Sequence, residues 1–343
     1  MDVIDTATHH TLRPGPRNAI TDVAGVAVGQ AADADIGTGV TVVVPAQGCV
    51  GASDVRGGAP GTFLTDILDS ANVGLPVDAV VLTGGSVFGM GAAQAVIHAL
   101  AASGRGADFV GRTVPCVPAA VIFDLHAHRR DDWLEASPYP ALGRAALAAA
   151  CVEVAQGSVG AGTGASACSY AGGVGTASAV TLDGLVVGAV VVVNSFGEVV
   201  IPGTKHFWAW PFEFGDEFGG LGGPAGRAPL SPELSVPPAL RQPGMSTTLA
   251  VVATNASLDR PAAKRMAIMA QDGIARAVRP VHTLYDGDVV FTLATGERAT
   301  PADPLEQARI GHLAADCVAR AIARAVYHAG PRAQPPSWRE TWG

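Results

Sequence analysis

Short runs of β-branched and apolar residues bounded by Gly or Pro alternate with longer Ala-rich segments. This rhythm predicts buried strands covered by helices. The runs GVTVVVP (39–45), DAVVLTGG (78–85), ASAVTL (177–182) and GLVVGAVVVVNS (184–195) read as buried strands. TTLAVVAT (247–254) and DVVFTLAT (288–295) continue the series. Four segments carry helical signals. GAAQAVIHALAASG follows a strand and a Gly-rich turn, and PYPALGRAALAAACVEVA is Ala-rich with Gly at its end. RPAAKRMAIMAQDGIARAV has Pro261 in its first turn. ADPLEQARIGHLAADCVARAIARAVYHAG has Asp303 as N-cap, Pro304 at the first helical position and Gly330 as the stop. Such an order of elements implies sheets covered by helices, an α/β architecture.

The stretch from Lys205 to Gly244 breaks the rhythm. It is rich in Gly and Pro, aperiodic, and longer than an ordinary connection, as functional loops and linkers are. It ends just before three hydroxyl residues, Ser246, Thr247 and Thr248, that stand directly against an apolar run. A flexible segment delivered to that point is what a chain needs if it is to be cut there.

Composition narrows the function classes. Of 343 residues, 48% are hydrophobic and 15% charged, ample for a buried core in one large layered domain or two. The net charge of −8 comes with no basic block, which argues against nucleic acid as a partner. Lys205 and Lys264 are the two lysines, so a phosphate-cradling lysine has few candidates. The opening residues show no secretory pattern. The most apolar segment, GLVVGAVVVV, is too short to span a bilayer. A cytoplasmic protein without a membrane partner is expected. The five cysteines are scattered and form no CxxC pair, so they read as small buried hydrophobes.

Several motifs invite chemistry. GGSVFGMG lies between a strand and a helix but matches neither a nucleotide loop nor a GxSxG elbow, and it reads as a tight turn. VGAGTGASA reads likewise as close packing. FDLHAHRRDD gathers Asp124, His126, His128, Asp131 and Asp132. On a strand the two His rings would point one way, as metal ligation requires, so a metal-dependent hydrolase is a rival class. A solvated loop is the plainer reading. In YDGDVVF, Asp286 and Asp288 would share one face of a strand, although Asp-Gly is also a hairpin signal. Thr247 can simply open a buried strand. If the chain is cut before it, its α-amine, with a reference pKa of about 7.7–8.0, can take the proton from its own hydroxyl. One residue then supplies nucleophile and base.

Nine fragments in consistent order carry a family resemblance: NAITDVAGVAVGQ, DVRGGAPGT, VVLTGGSVFGMGAA, VPAAVIFDL, VGAGTGASA, GGVGTAS, VVVNSFGEV, STTLAVVATN and HTLYDGDVVF. From about Asn18 to Thr292 the chain resembles the DmpA-type L-aminopeptidase/D-esterases, with the β-peptidyl aminopeptidases and nylon-oligomer hydrolases. These are self-processing hydrolases with an N-terminal Ser or Thr nucleophile. The resemblance implies one domain folded as a four-layer αββα sandwich, a homotetramer, and no metal or organic cofactor. It implies a cut between Ser246 and Thr247, giving an α-subunit of residues 1–246 and a β-subunit of 247–343. It places the nucleophile at Thr247, an oxyanion-binding amide at Asn194, and the pair that orients the nucleophile amine at Asp286 and Asp288.

The chain also departs from the pattern. Ser169 stands where nylon-oligomer hydrolases carry a lysine, Phe123 where the family has Tyr, and Ser246 where nylon hydrolases have Asn. Val121 stands where the aminopeptidase branch carries an amine-binding Glu, which leans toward the nylon-hydrolase branch. The expected activity is hydrolysis of amide bonds in peptides or ω-amino-acid oligomers through an acyl-enzyme. An aminopeptidase/D-esterase, the metal-dependent hydrolase, an uncut non-catalytic member and a Thr-based acyltransferase stay open.

Overall fold

A computed structural model describes residues 12–128, 132–226, 244–300, 303–332 and 334–343. Fourteen strands run in chain order: β1 (Val26–Asp33), β2 (Thr38–Pro45), β3 (Val50–Val55), β4 (Thr62–Phe63), β5 (Val80–Thr83), β6 (Ala107–Phe109), β7 (Arg112–Val114), β8 (Ala119–Val121), β9 (Ser166–Ala167), β10 (Tyr170–Ala171), β11 (Gly173–Val180), β12 (Val186–Asn194), β13 (Thr247–Ala256) and β14 (Val289–Arg298). The α-helices are α1 (Met90–Ala102), α2 (Tyr139–Ala148), α3 (Arg260–Ala277), α4 (Pro304–Tyr327) and the short α5 (Trp338–Trp342).

Ten strands make two five-stranded sheets, ordered β1-β2-β5-β8-β4 and β11-β12-β13-β14-β3. The remaining four form two small ribbons, β6 with β7 and β9 with β10. Three apolar cores separate four layers. Leu82, Ile122, Val190, Leu249, Val251 and Phe291 fill the space between the sheets. Val191, Ala250, Val252, Met266, Ile274 and Val318 join the second sheet to α3 and α4. Val42, Val81, Val96 and Tyr139 join the first sheet to α1 and α2. The αββα sandwich follows from strands such as β2, β5 and β12, whose continuous Val runs leave no polar face to show to water. Each buried Val or Leu contributes about 1.5–3 kcal/mol.

β13 and β14 are parallel, with Leu249 opposite Val289, so their connection must cross over; α3 makes that crossing. Asp259 caps α3 by accepting from the Ala262 amide, and Asp303 caps α4 through the Leu305 amide. Pro304 opens α4 as the sequence predicts, but the helix ends at Tyr327, before Gly330. α2 is shorter than its Ala-rich stretch. It stops at Ala148 because Cys151 exchanges both backbone hydrogen bonds with Val28 of β1.

The described part of the long Gly/Pro segment, up to residue 226, carries one short 3-10 turn, Trp210–Phe212, and is anchored. Phe207 and Phe218 are buried, and Glu217 pairs bidentately with Arg320 of α4. Residues 227–243 of that segment lie outside the described residues.

Candidate active site

Thr247 opens β13 opposite Asn194, the last residue of β12. On its other side, Ser246 bridges in parallel to Asp286, on the approach to β14. The Thr247 hydroxyl donates to the carbonyl oxygen of Ser246 at 2.5 Å. The Gly287 amide donates to the same oxygen at 2.9 Å. That is the distance an oxyanion donor needs. A Cβ on Gly287 would lie 2.8 Å from the Thr247 hydroxyl and 2.8 Å from the Ala59 carbonyl, so only glycine lets this strand approach the hydroxyl. Ser246 and Thr247 are both buried, at 2% and 4% exposure.

Asn194 reaches the neighbouring peptide from across the sheet. Its Oδ1 accepts from the Ser166 amide at 2.9 Å, which fixes the amide's orientation. Its Nδ2 then donates to the carbonyls of Phe123 at 3.1 Å and Met245 at 3.3 Å. In the single, uncut chain this amide is therefore on the carbonyl preceding Ser246, not on that of Ser246 itself.

The acidic pair sits in neither a hairpin nor a regular strand. After a turn at Leu284–Tyr285 the chain runs extended through Asp286, Gly287 and Asp288 into β14. Asp286 Oδ1 accepts from the Phe196 amide at 3.2 Å, and Oδ2 accepts from the Thr283 amide and hydroxyl at 2.9 and 2.6 Å. Asp288 Oδ1 accepts from the Thr248 amide at 2.7 Å, and Oδ2 faces His282 Nδ1 at 2.8 Å. Burial, followed by the charge of Asp288, pushes the Asp286 carboxyl up to about 6. Among the described residues no hydrogen bond joins either carboxylate to Thr247. The glycine between them makes the closest approach instead.

The loop Arg56–Gly61 closes over this segment. The Arg56 and Gly57 amides donate to the Asp288 carbonyl, and the Ala59 amide donates to the Asp286 carbonyl at 2.8 Å. A Cβ on Gly57 would meet the Asp288 nitrogen at 2.2 Å. The loop arrives here because the chain passes from β2 of the first sheet to β3, which pairs with β14 in the second.

Other candidates fall around this centre. Phe123 is half-buried and stacks on His126, their centroids 6.3 Å apart. Val121 is buried beneath Gly61. The Ser169 hydroxyl donates to Glu198, whose carboxyl is pushed up mainly by burial. His126 and His128 lie at a 3-10 turn, Leu125–Ala127, and not on a strand. His126 is exposed, while His128 is turned inward, 3.4 Å from both Asp124 and the Tyr139 hydroxyl. Asp131 lies outside the described residues. Among the described residues no three His, Cys, Asp or Glu side chains gather as a metal site, and the two histidines do not converge.

The model of peptidase family S58 matches residues 18–335. The chain belongs to this family. An uncharacterized aminopeptidase of Mycobacterium tuberculosis is 44% identical over 341 residues, covering 94% of this chain and 97% of the relative. The 6-aminohexanoate-oligomer endohydrolase of Paenarthrobacter ureafaciens is 30% identical, over 82% of this chain and 76% of its own. A β-aminopeptidase of Burkholderia sp. has a similar fold, with a TM-score of 0.70 at 24% identity, over 95% of this chain and 90% of that one. This S58 chain is a hydrolase of the peptidase kind. Among its described residues no helix is long and apolar enough to cross a membrane.

Four contributors escape a reading of the sequence: Gly287 as donor and spacer, Ser166 as the partner that orients Asn194, and His282 with Thr283 as holders of the acids. His282 and Thr283 carry no spacing signal of their own. Gly287 lies within Asp-Gly-Asp, where its charged neighbours carry the evident chemistry.

Proposed function

We infer that this S58 hydrolase is made as a precursor that cuts itself between Ser246 and Thr247, and that Thr247 is then its nucleophile. The carrying observation is the Ser246 carbonyl, with the Thr247 hydroxyl at 2.5 Å and the Gly287 amide at 2.9 Å on one oxygen. Attack of the hydroxyl on that carbonyl carbon turns the peptide into an ester while Gly287 holds the developing oxyanion. Water then releases the Ser246 carboxylate and leaves Thr247 with a free amine. That amine takes the hydroxyl proton when a substrate amide is attacked, and passes it to the leaving nitrogen. Asn194 Nδ2, relieved of Met245, is placed to donate to the substrate's oxyanion, and Asp286 with Asp288 holds the amine. Hydrolysis of the acyl-enzyme completes the cycle.

The substrates are amides of peptides or ω-amino-acid oligomers. Among the described residues at the end of β8 no free acid is present to bind a substrate amine. Val121 is apolar, and the Asp124 carboxylate is taken by the Thr38 hydroxyl at 2.7 Å and the Gly85 amide at 2.6 Å. This favours cleavage of internal amides, as the name of the Paenarthrobacter ureafaciens relative describes. The likeness to an aminopeptidase over nearly the whole chain supports the other reading, release of N-terminal residues. A Thr247→Ala protein tests the core of the proposal. It should run as one band on a denaturing gel and be inactive, whereas the parent gives two bands.

A further inference from the structure

Resting on that reading of Thr247 and the acidic pair, we propose that His282 is the positioning residue that holds Asp288 against the start of the nucleophile strand. With Thr283 it forms a two-residue clamp on both acids. The clamp takes one oxygen of each carboxylate. Asp288 Oδ2 accepts from His282 twice, from the backbone amide at 3.2 Å and from Nδ1 at 2.8 Å. Asp286 Oδ2 accepts from the Thr283 amide and hydroxyl. The other oxygens are thereby aimed, Asp288 Oδ1 onto the Thr248 amide and Asp286 Oδ1 onto the Phe196 amide.

The Thr248 amide belongs to the first peptide unit that remains once Thr247 becomes a chain end. A carboxylate fixed on that amide fixes where the new amine stands. His282 does this from a backbone conformation that other residues avoid, with φ of +56°. The left-handed turn is what lets its amide and its ring reach one oxygen together, a local cost of the kind found at functional sites. Nδ1 facing a carboxylate must carry the proton, so the neutral ring is the Nδ1–H tautomer. Among the described residues no Lys or Arg forms an ion pair with Asp286 or Asp288, and His282 is the sole basic side chain in contact with them. Asp288 is 1% exposed at its side chain and the ring 19%, so water cannot readily replace this donor on the acid.

Two substitutions separate the clamp from its backbone. His282→Gly keeps the left-handed turn and removes the ring. His282→Asn keeps the turn and puts an amide nitrogen where Nδ1 stood. The measurements are kcat and KM of the cut enzyme on a peptide amide across pH, with thermal melting as the fold check. His282→Gly is expected to lower kcat about a hundredfold, the scale of a misplaced catalytic group, with KM little changed and the acid side of the pH profile moved upward. His282→Asn is expected to recover most of kcat and to restore the profile. Equal kcat and equal profiles for parent, Gly and Asn variants overturn the clamp. Thr247→Ala is the third variant: if it still turns over substrate, the reading of Thr247 fails instead, whatever the His282 series shows.

Discussion

The hydroxyl of Thr247 and the carbonyl oxygen of Ser246 are 2.5 Å apart in the uncut chain, and the Gly287 amide holds that same oxygen from the other side. In the proposed self-cleavage these three groups are the nucleophile, its target and the oxyanion donor.

This arrangement depends on Gly287 having no side chain. Gly287→Ala puts a methyl 2.8 Å from the Thr247 hydroxyl. Displacing the hydroxyl should slow self-cleavage about a hundredfold or more. A time course of band conversion after synthesis reads the effect, with circular dichroism to show that the sandwich has formed. Processing at the parental rate contradicts the role given to this glycine.

Asp286 sets a pH dependence. Its carboxyl lies above the ordinary range, at about 6, so it is neutral on the acid side of that value and charged on the alkaline side. In the proposed mechanism only the charged form stabilises the ammonium that the Thr247 amine becomes as it takes the hydroxyl proton, so turnover falls as this carboxylate is protonated. That developing ammonium favours the charged carboxylate, which puts the limb due to Asp286 at or below pH 6. Asp286→Asn should remove that limb from the kcat/KM profile and cost about a hundredfold in rate. A limb that survives the substitution belongs to another group.

The absence of a free acid among the described residues at the end of β8 predicts tolerance of blocked substrates. N-acetylated peptides should be hydrolysed within about tenfold of the same peptides with free amines, since a site built around an ammonium would reject them by about 10⁴-fold. Rates for matched pairs decide between the internal and the N-terminal reading. Strong rejection of the acetylated member favours the aminopeptidase.

Stability should hinge on a group far from the chemistry. Arg320 is 1% exposed, pairs with Glu217 at 2.6 and 2.9 Å, and also donates to Asn18 and the Ser178 carbonyl. Arg320→Met takes the bidentate partner from the buried Glu217 carboxylate and leaves it with Asn18, the Phe214 amide and Arg324 at 3.9 Å, and breaking such a buried pair costs about 3–5 kcal/mol. Urea unfolding of an uncleavable Thr247→Ala background reads the difference. A change under about 1 kcal/mol means that the pair does not anchor the long loop in the way described.

Much of this fold was legible because its strands are written as unbroken Val runs and its two long helices carry explicit caps. β1, β3 and β8 were less so. VAVGQAAD, VGASDV and AAV are short or mixed with small polar residues, and their strand character comes from the neighbours they pair with. Thr247, Asn194 and the acids were legible through the resemblance, and the structure gathers them at the junction of β12, β13 and β14. Their division of labour was not. Which of Asp286, Gly287 and Asp288 meets the hydroxyl depends on the parallel register of β13 and β14, where Leu249 faces Val289, and on the loop after β3, where Val55 faces Val289 from the far end of the chain. The His-x-His reading failed for a local reason: the segment turns after Asp124, whose carboxylate is drawn inward by Thr38 and Gly85.

Intact mass spectrometry of the purified protein tests the central claim most directly, because it reports cleavage and its position together. The account predicts two chains, the second beginning at Thr247. A single full-length chain that nevertheless hydrolyses amides, or a cut at any other bond, contradicts it.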